Sequence, residues 1–269
     1  MNLSPTLKLA VDGGNISYEI AGDGPLVVCV PGMGDLRSTF RFLAPALVEA
    51  GYRVAVIDLR GHGDSDTTFD SYDNEGNARD VAALVDHLGG PAVIVGNSMG
   101  AAIGALIAAH RAELVSGLVL VGPFLRDGKM SPVLKAVMGV LTSPALVTFT
   151  WKNYLPNLYK GTKPADLREY VAAVAAGMKG RSRAISKTMS TSHASAELAL
   201  PEVHTNVLVV MGELDPDFPS PVDEAHWITS QLGGEVLMVP DAGHYPQAQR
   251  PDIVVPAIEA FLAKATKRA

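Results

Sequence analysis

The stretch Ala92-Val93-Ile94-Val95-Gly96-Asn97-Ser98-Met99-Gly100-Ala101-Ala102-Ile103 passes from an apolar, β-branched run through a Gly-x-Ser-x-Gly pentapeptide into small helix formers that continue to Ala109. That order predicts a strand, a sharp turn at Ser98 and a helix, the arrangement of a nucleophile elbow. A serine held there projects its hydroxyl above the sheet, and the glycines two residues either side let the strained backbone pass close to its neighbours. The N–H groups that open the helix have no partner within it and aim at the same point, where a developing oxyanion can be held.

On either side of this stretch, further short apolar runs occur at Leu26 to Val30, Val54 to Ile57, Leu118 to Val121, Val207 to Val210 and Val236 to Val239. They read as strands buried on both faces. Segments of helical length separate most of them: Thr39 to Ala50, Gly76 to Leu88, Gly100 to Arg111, Pro221 to Gln231 and Pro251 to Lys264, the last with Val254, Ile258 and Phe261 on one face. Such alternation predicts βαβ units and a parallel sheet with helices on both faces. Thr6 to Val11 and Asn15 to Glu19, joined by Asp12-Gly13-Gly14, add an antiparallel hairpin at the sheet edge, giving eight strands.

After Val121 the alternation stops. From Leu125 to Leu200 there is no comparable strand run, only helical stretches at Pro132 to Leu141, Ala145 to Tyr154, Pro164 to Met178 and Arg183 to Ser192. This predicts a helical insertion, residues 125–200, after the sixth strand of a core formed by 1–124 and 201–269. Pro123, Gly128 and Pro201 supply its hinges.

Composition narrows the class. The 269 residues are 48% apolar, ample for a buried core, and carry a formal charge of −6. That charge argues against nucleic-acid and anionic-membrane partners, which need clustered Lys and Arg. The basic tail, Lys264 to Arg268, reads as the last turn of a helix. The single cysteine, Cys29, excludes a disulfide within the chain and reads as a core residue. Met1 to Ala10 lacks the continuous apolar stretch of a secretory signal, and nowhere do about 18 uninterrupted apolar residues offer a membrane span. A cytoplasmic protein is the expectation.

Ser98 needs a base, and that base needs a carboxylate to fix its tautomer. In a parallel sheet both belong on loops at the carboxyl ends of strands. Asp215 follows the Val207 run in Gly212-Glu213-Leu214-Asp215-Pro216, with Asp217 and Glu213 as rivals; His244 follows the Val236 run in Pro240-Asp241-Ala242-Gly243-His244. The order Ser98, Asp215, His244 is that of one specific architecture. Pro31-Gly32-Met33-Gly34, after the strand ending at Val30, suits N–H donation from Met33 toward Ser98, with the Met99 N–H as second donor. His62, in the turn Arg60-Gly61-His62-Gly63, reads as a brace for a tight loop. Gly32-Met33-Gly34 with Arg37 and Asp58 lacks the third glycine of a dinucleotide fingerprint, so no nicotinamide cofactor is expected. The scattered histidines offer no metal-ligand spacing, and no metal is expected.

On these residues, and on Asp58-Leu59-Arg60-Gly61-His62-Gly63-Asp64-Ser65, the chain resembles the α/β-hydrolase family over nearly its whole length. The resemblance implies an α/β-hydrolase fold, a mostly parallel eight-stranded sheet, with the insertion as a cap (lid) over the site. It departs from many relatives where Pro31-Gly32 replaces their His-Gly. The resemblance further implies a cofactor-free serine hydrolase acting on a small to medium, largely apolar ester or lactone. Phe124, Trp151, Tyr154 and Tyr159 are candidates for its substrate pocket. The relatives that use an aspartate nucleophile, haloalkane dehalogenases and epoxide hydrolases, are excluded by the serine at 98. Asn97 and Met99 are also similar to carbon–carbon bond hydrolases, although Tyr245 stands where those enzymes tend to carry tryptophan. A hydrolase-like ligand sensor is the rival from outside enzymology.

Overall fold

The computed structural model describes residues 4–128 and 131–266. All the apolar runs enter one sheet: β1 (Leu7–Val11), β2 (Gly14–Ala21), β3 (Leu26–Val30), β4 (Arg53–Ile57), β5 (Ala92–Asn97), β6 (Val115–Val121), β7 (Val207–Gly212) and β8 (Glu235–Val239), in the order β1-β2-β4-β3-β5-β6-β7-β8. β2 runs antiparallel to β1 and β4, and every other pairing is parallel. Register matters at the centre, where Val30 of β3 faces Gly96 and Val121 of β6 faces Asn97. The carboxyl ends of three strands therefore meet just before Ser98.

Strand alternation divides the core in two. Val28, Val30, Ile94 and Leu118 pack on one face with α2 (Asn74–His87), α3 (Met99–His110) and α9 (Pro221–Leu232). Val27, Cys29, Val93 and Val119 pack on the other with α1 (Leu43–Glu49) and α11 (Pro251–Ala265), whose Val254, Ile258 and Phe261 are buried. Cys29 is fully buried, and burial pushes its thiol well above the usual range. α2 starts where Asp73 accepts a hydrogen bond from the Gly76 N–H at 2.7 Å.

Several expectations need correcting. β8 is an edge strand with only Val239 fully buried, because nothing pairs beyond it. The Thr39 to Ala50 segment splits into a single 3-10 turn, Arg37–Phe40, and α1, the break falling where Arg41 turns out to pair with Asp166 at 2.6 Å. Two short helices have no counterpart in the sequence reading: α8 (Ala194–Ala199) and α10 (Pro246–Gln249). Of the basic tail, Lys264 pairs with Glu235 at 2.8 Å in the last turn of α11, while Lys267 and Arg268 lie outside the described residues.

Between β6 and β7 run α4 (Pro132–Leu141), α5 (Val147–Leu158), α6 (Leu167–Gly177), α7 (Ser182–Met189) and α8. α5 continues past its expected end through Pro156, its last turn held by buried Leu155 and Leu158. Those leucines join Tyr159, Tyr170, Val174 and Ile185 in a third apolar cluster, which takes in Tyr245 and Ala248 from the connection between β8 and α11. No described helix is long and apolar enough to cross a membrane.

Candidate active site

Ser98 has φ 55° and ψ −119°, one of two non-glycine residues at positive φ among those described. Such a conformation costs on the order of 1–3 kcal/mol and persists only where surroundings enforce it. Here the Ser98 N–H donates to Val121 O at 2.9 Å, while the Ser98 carbonyl accepts from Ala101 N at 3.0 Å and Phe124 N at 3.3 Å. The neighbouring glycines are close-approach positions: a Cβ on Gly100 would stand 2.1 Å from Val30 O, and one on Gly96 would stand 2.2 Å from Gly100 O. Asn97 ties the elbow across the sheet, its Nδ2 donating to Val121 O at 3.0 Å and His244 O at 3.3 Å.

Asp215 and His244 meet. His244 Nδ1 lies 2.7 Å from Asp215 Oδ2, and both residues are almost fully buried. An Nδ1–H donated to the carboxylate leaves the Nε2 lone pair as the basic site. Asp217 is the more distant acid, with Oδ2 3.9 Å from the same nitrogen, and its Oδ1 accepts from Tyr154 OH at 2.5 Å. Burial lowers the His244 pKa, but the charge and hydrogen bond of Asp215, then the charge of Asp217, outweigh it and raise the imidazole to about 9. Asp215, Asp217 and His244 also form the one group of potential ligand atoms within 4.8 Å among the described residues, but its shortest contact is the hydrogen bond between acid and base. Ser98 Oγ has no hydrogen bond to another described residue, a contact that in resting hydrolases often forms only once substrate is bound.

His244 sits on a loop gripped from outside the sheet. His244 N donates to Leu158 O at 2.9 Å. Gln249, nearly buried, uses its whole amide: Oε1 accepts from Gly243 N at 2.9 Å and Tyr245 N at 3.3 Å, and Nε2 donates to Lys160 O at 2.6 Å and Thr162 O at 2.7 Å. Nothing in the sequence pattern marks Gln249.

Opposite the base, Gly32–Asp35 forms a turn closed by Asp35 N to Gly32 O at 3.4 Å, and a Cβ on Gly32 would touch Ser98 Cβ at 2.8 Å. The Gly34 N–H is committed to His62 Nε2 at 3.0 Å, and His62 Nδ1 bonds the Arg60 carbonyl at 2.8 Å. His62 must then be neutral with its proton on Nδ1, consistent with burial lowering its pKa to about 4. The Met33 and Met99 N–H groups have no acceptor among the described residues and remain available. Thus the Pro31–Gly34 loop is braced from the next turn by His62. Asp58, at the start of that turn, accepts from Arg37 N at 2.9 Å and Asp64 N at 3.0 Å and pairs with the Arg37 guanidinium, so it is fully engaged.

Of the four pocket candidates, Phe124 stands edge-on to His244 with ring centroids 5.8 Å apart, and Trp151 lies over the Gly34 turn. Tyr154 reaches the site through Asp217. Tyr159 instead is fully buried and stacked on Tyr245 at 4.7 Å, inside the third apolar cluster. Two further residues carry no signal in the sequence: Phe218, 4.8 Å from Phe124, and His193, stacked on Phe124's ring at 5.8 Å. Asn74 Nδ2 donates to Ser192 O at 3.1 Å and bonds His193 Nδ1 at 3.2 Å, which leaves the His193 proton on Nε2. Burial lowers the His193 pKa and keeps the ring neutral.

A strained serine after the fifth strand and an aspartate–histidine pair after the seventh and eighth define the hydrolases built on an α/β sheet. The model of the Alpha/beta hydrolase family matches residues 27–257, and the chain belongs to that family. It is 28% identical over 265 residues to the mouse sn-1-specific diacylglycerol lipase ABHD11, covering 92% of this chain and 85% of that one. Over a shorter stretch of 114 residues, 40% of each chain, it is 38% identical to the 2-hydroxy-6-oxo-6-phenylhexa-2,4-dienoate hydrolase of Comamonas testosteroni. The esterase of Exiguobacterium antarcticum superposes with a TM-score of 0.84 at 20% identity, over 97% of this chain and all of that one, a likeness of fold.

Proposed function

We propose that this hydrolase cleaves a carboxylic ester or lactone of a small to medium, largely apolar substrate through an acyl-enzyme on Ser98. The observation that carries the reading is the buried 2.7 Å pair of His244 and Asp215 beside a serine at positive φ. His244 Nε2 takes the Ser98 proton as Oγ attacks the carbonyl carbon, and Asp215 stabilises the imidazolium. The Met33 and Met99 N–H groups hold the oxyanion, each contributing about 3 kcal/mol to lowering the barrier. The imidazolium then protonates the departing alkoxide, and water activated by His244 releases the acid. Residues 125–200 act as the cap, with Phe124, Trp151 and Tyr154 around the acyl or alkyl group.

Steady-state turnover of a p-nitrophenyl ester series and a homoserine-lactone series, with wild type and Ser98→Ala, tests this. Turnover lost in Ser98→Ala supports the serine mechanism, and the better series selects ester or lactone. Full turnover in Ser98→Ala refutes it. The stretch similar to the Comamonas testosteroni enzyme favours carbon–carbon bond hydrolysis as a second reading. Wild-type inertness toward both series, with cleavage of a vinylogous diketone, would select that one.

A further inference from the structure

α4 departs from the rule that a helix in water hides its apolar face. All ten of its residues are exposed, and apart from Lys135 they are Pro132, Val133, Leu134, Ala136, Val137, Met138, Gly139, Val140 and Leu141. Val133 is 74% and Val140 61% exposed. The exposed face continues through Leu146 to Phe149 at the start of α5, which is 71% exposed. A helix that is apolar all round is normally buried in protein or in lipid, and an apolar surface of this extent marks an interaction site.

The charge around it says what covers it. Residues 128–165 contain five lysines and no acidic residue, in a chain whose formal charge is −6, and two of the lysines, Lys135 on α4 and Lys152 on α5, stand at this patch. Neither Lys135 nor Lys152 has an ion-pair partner among the described residues, and both are exposed. Lys152 lies three residues beyond Phe149, on the same face of α5. An apolar helix with exposed lysines beside it, none of them in an ion pair among the described residues, matches a bilayer boundary, where apolar side chains enter the acyl region and lysine stems reach up to anionic headgroups.

We infer that α4 and the first turns of α5 form a docking surface for an anionic lipid bilayer. The expectation from net charge is reversed locally, since only the charges within about a Debye length of the surface act on it. This inference is independent of the ester reading, because it concerns where the protein sits and not which bond it cleaves.

Co-sedimentation of the full chain with phosphatidylcholine vesicles, with and without phosphatidylglycerol, tests it. Wild type is expected to pellet with the anionic vesicles and to be released by high salt. Lys135→Gln with Lys152→Gln should weaken that binding about thirtyfold, about fivefold for each lysine. Val137→Asp with Phe149→Asp should weaken it at least about tenfold. Unchanged thermal unfolding of these exposed-site variants establishes that they remain folded. Three results would overturn the inference: no binding to either vesicle, equal binding to neutral and anionic vesicles, or a solution dimer that Val137→Asp dissociates.

Discussion

Removing the Asp217 charge should make the enzyme more active in mildly acidic solution, whereas removing the Asp215 charge should nearly abolish activity. Asp217 Oδ2 stands 3.9 Å from His244 Nδ1. A unit charge at that separation is worth ~1 kcal/mol in water and ~4 kcal/mol at an effective dielectric of 20. The side chain keeps contact with solvent and shares its charge with the Tyr154 hydroxyl, so the lower figure applies. It corresponds to about 0.7 of a pH unit. In Asp217→Asn the imidazole should therefore lose its proton about 0.7 of a pH unit lower than the value of about 9 set chiefly by Asp215 and then Asp217. The acid limb of kcat/KM against pH, measured with a p-nitrophenyl ester, should move down by that amount. Asp215→Asn keeps the shape but loses the acceptor that fixes the tautomer, and kcat should fall by about 10⁴, the effect in the serine-protease template. Equal losses in both variants, or an acid limb that stays in place in Asp217→Asn, would refute the division of labour argued from these distances.

Other consequences are open to direct measurement. The buried Arg60–Asp80 pair, bidentate at 2.5 and 2.8 Å, predicts that Asp80→Ala costs about 3–5 kcal/mol in urea unfolding, with Arg60→Met/Asp80→Leu recovering most of it. His62 binds a proton near pH 4 in the folded chain but near 6.5 unfolded, so its contribution is present above pH 6.5 and is lost as pH falls toward 4. The loss should amount to about 3 kcal/mol between those limits, and His62→Gln should flatten that part of the stability profile. His244 acts on the alkaline side, because its raised pKa gives stability present below 6.5 and lost as pH rises through about 9; Ser98→Ala retains this slope and His244→Gln removes it. Gln249→Ala should lower both kcat and unfolding stability, the latter by about 2–4 kcal/mol, since the buried Gly243 and Tyr245 N–H groups and two part-buried carbonyls lose their partner; chemical denaturation alongside kinetics checks both.

The sheet was legible because each parallel strand carries its own apolar, β-branched run, and because the hairpin before them holds the residues that its turn requires. Asp215 and His244 could be found for the same reason: each sits a few residues beyond a strand end, so topology alone brings them together. What escaped is contact between segments that share no periodicity. The hydrogen bonds from Gln249 to Lys160 and Thr162 span nearly ninety positions, and the one from Gly34 to His62 joins two loops whose sequences are silent about each other. Tyr159 belongs to the same aromatic stripe as Trp151 and Tyr154, but the turn after α5 rotates it inward against Tyr245. α4 was legible as a helix and not as an exposed one, since an apolar helix reads alike whether protein or lipid surrounds it.

The grip on the His244 loop also constrains how a substrate can arrive. His244 N to Leu158 O, the bridge of Gly161 with Ala242, and the Gln249 amide fasten the end of α5 to the loop that carries the base. A swing of the whole helical segment would drag the imidazole out of line with Ser98, so the end of α5 serves as a fixed post.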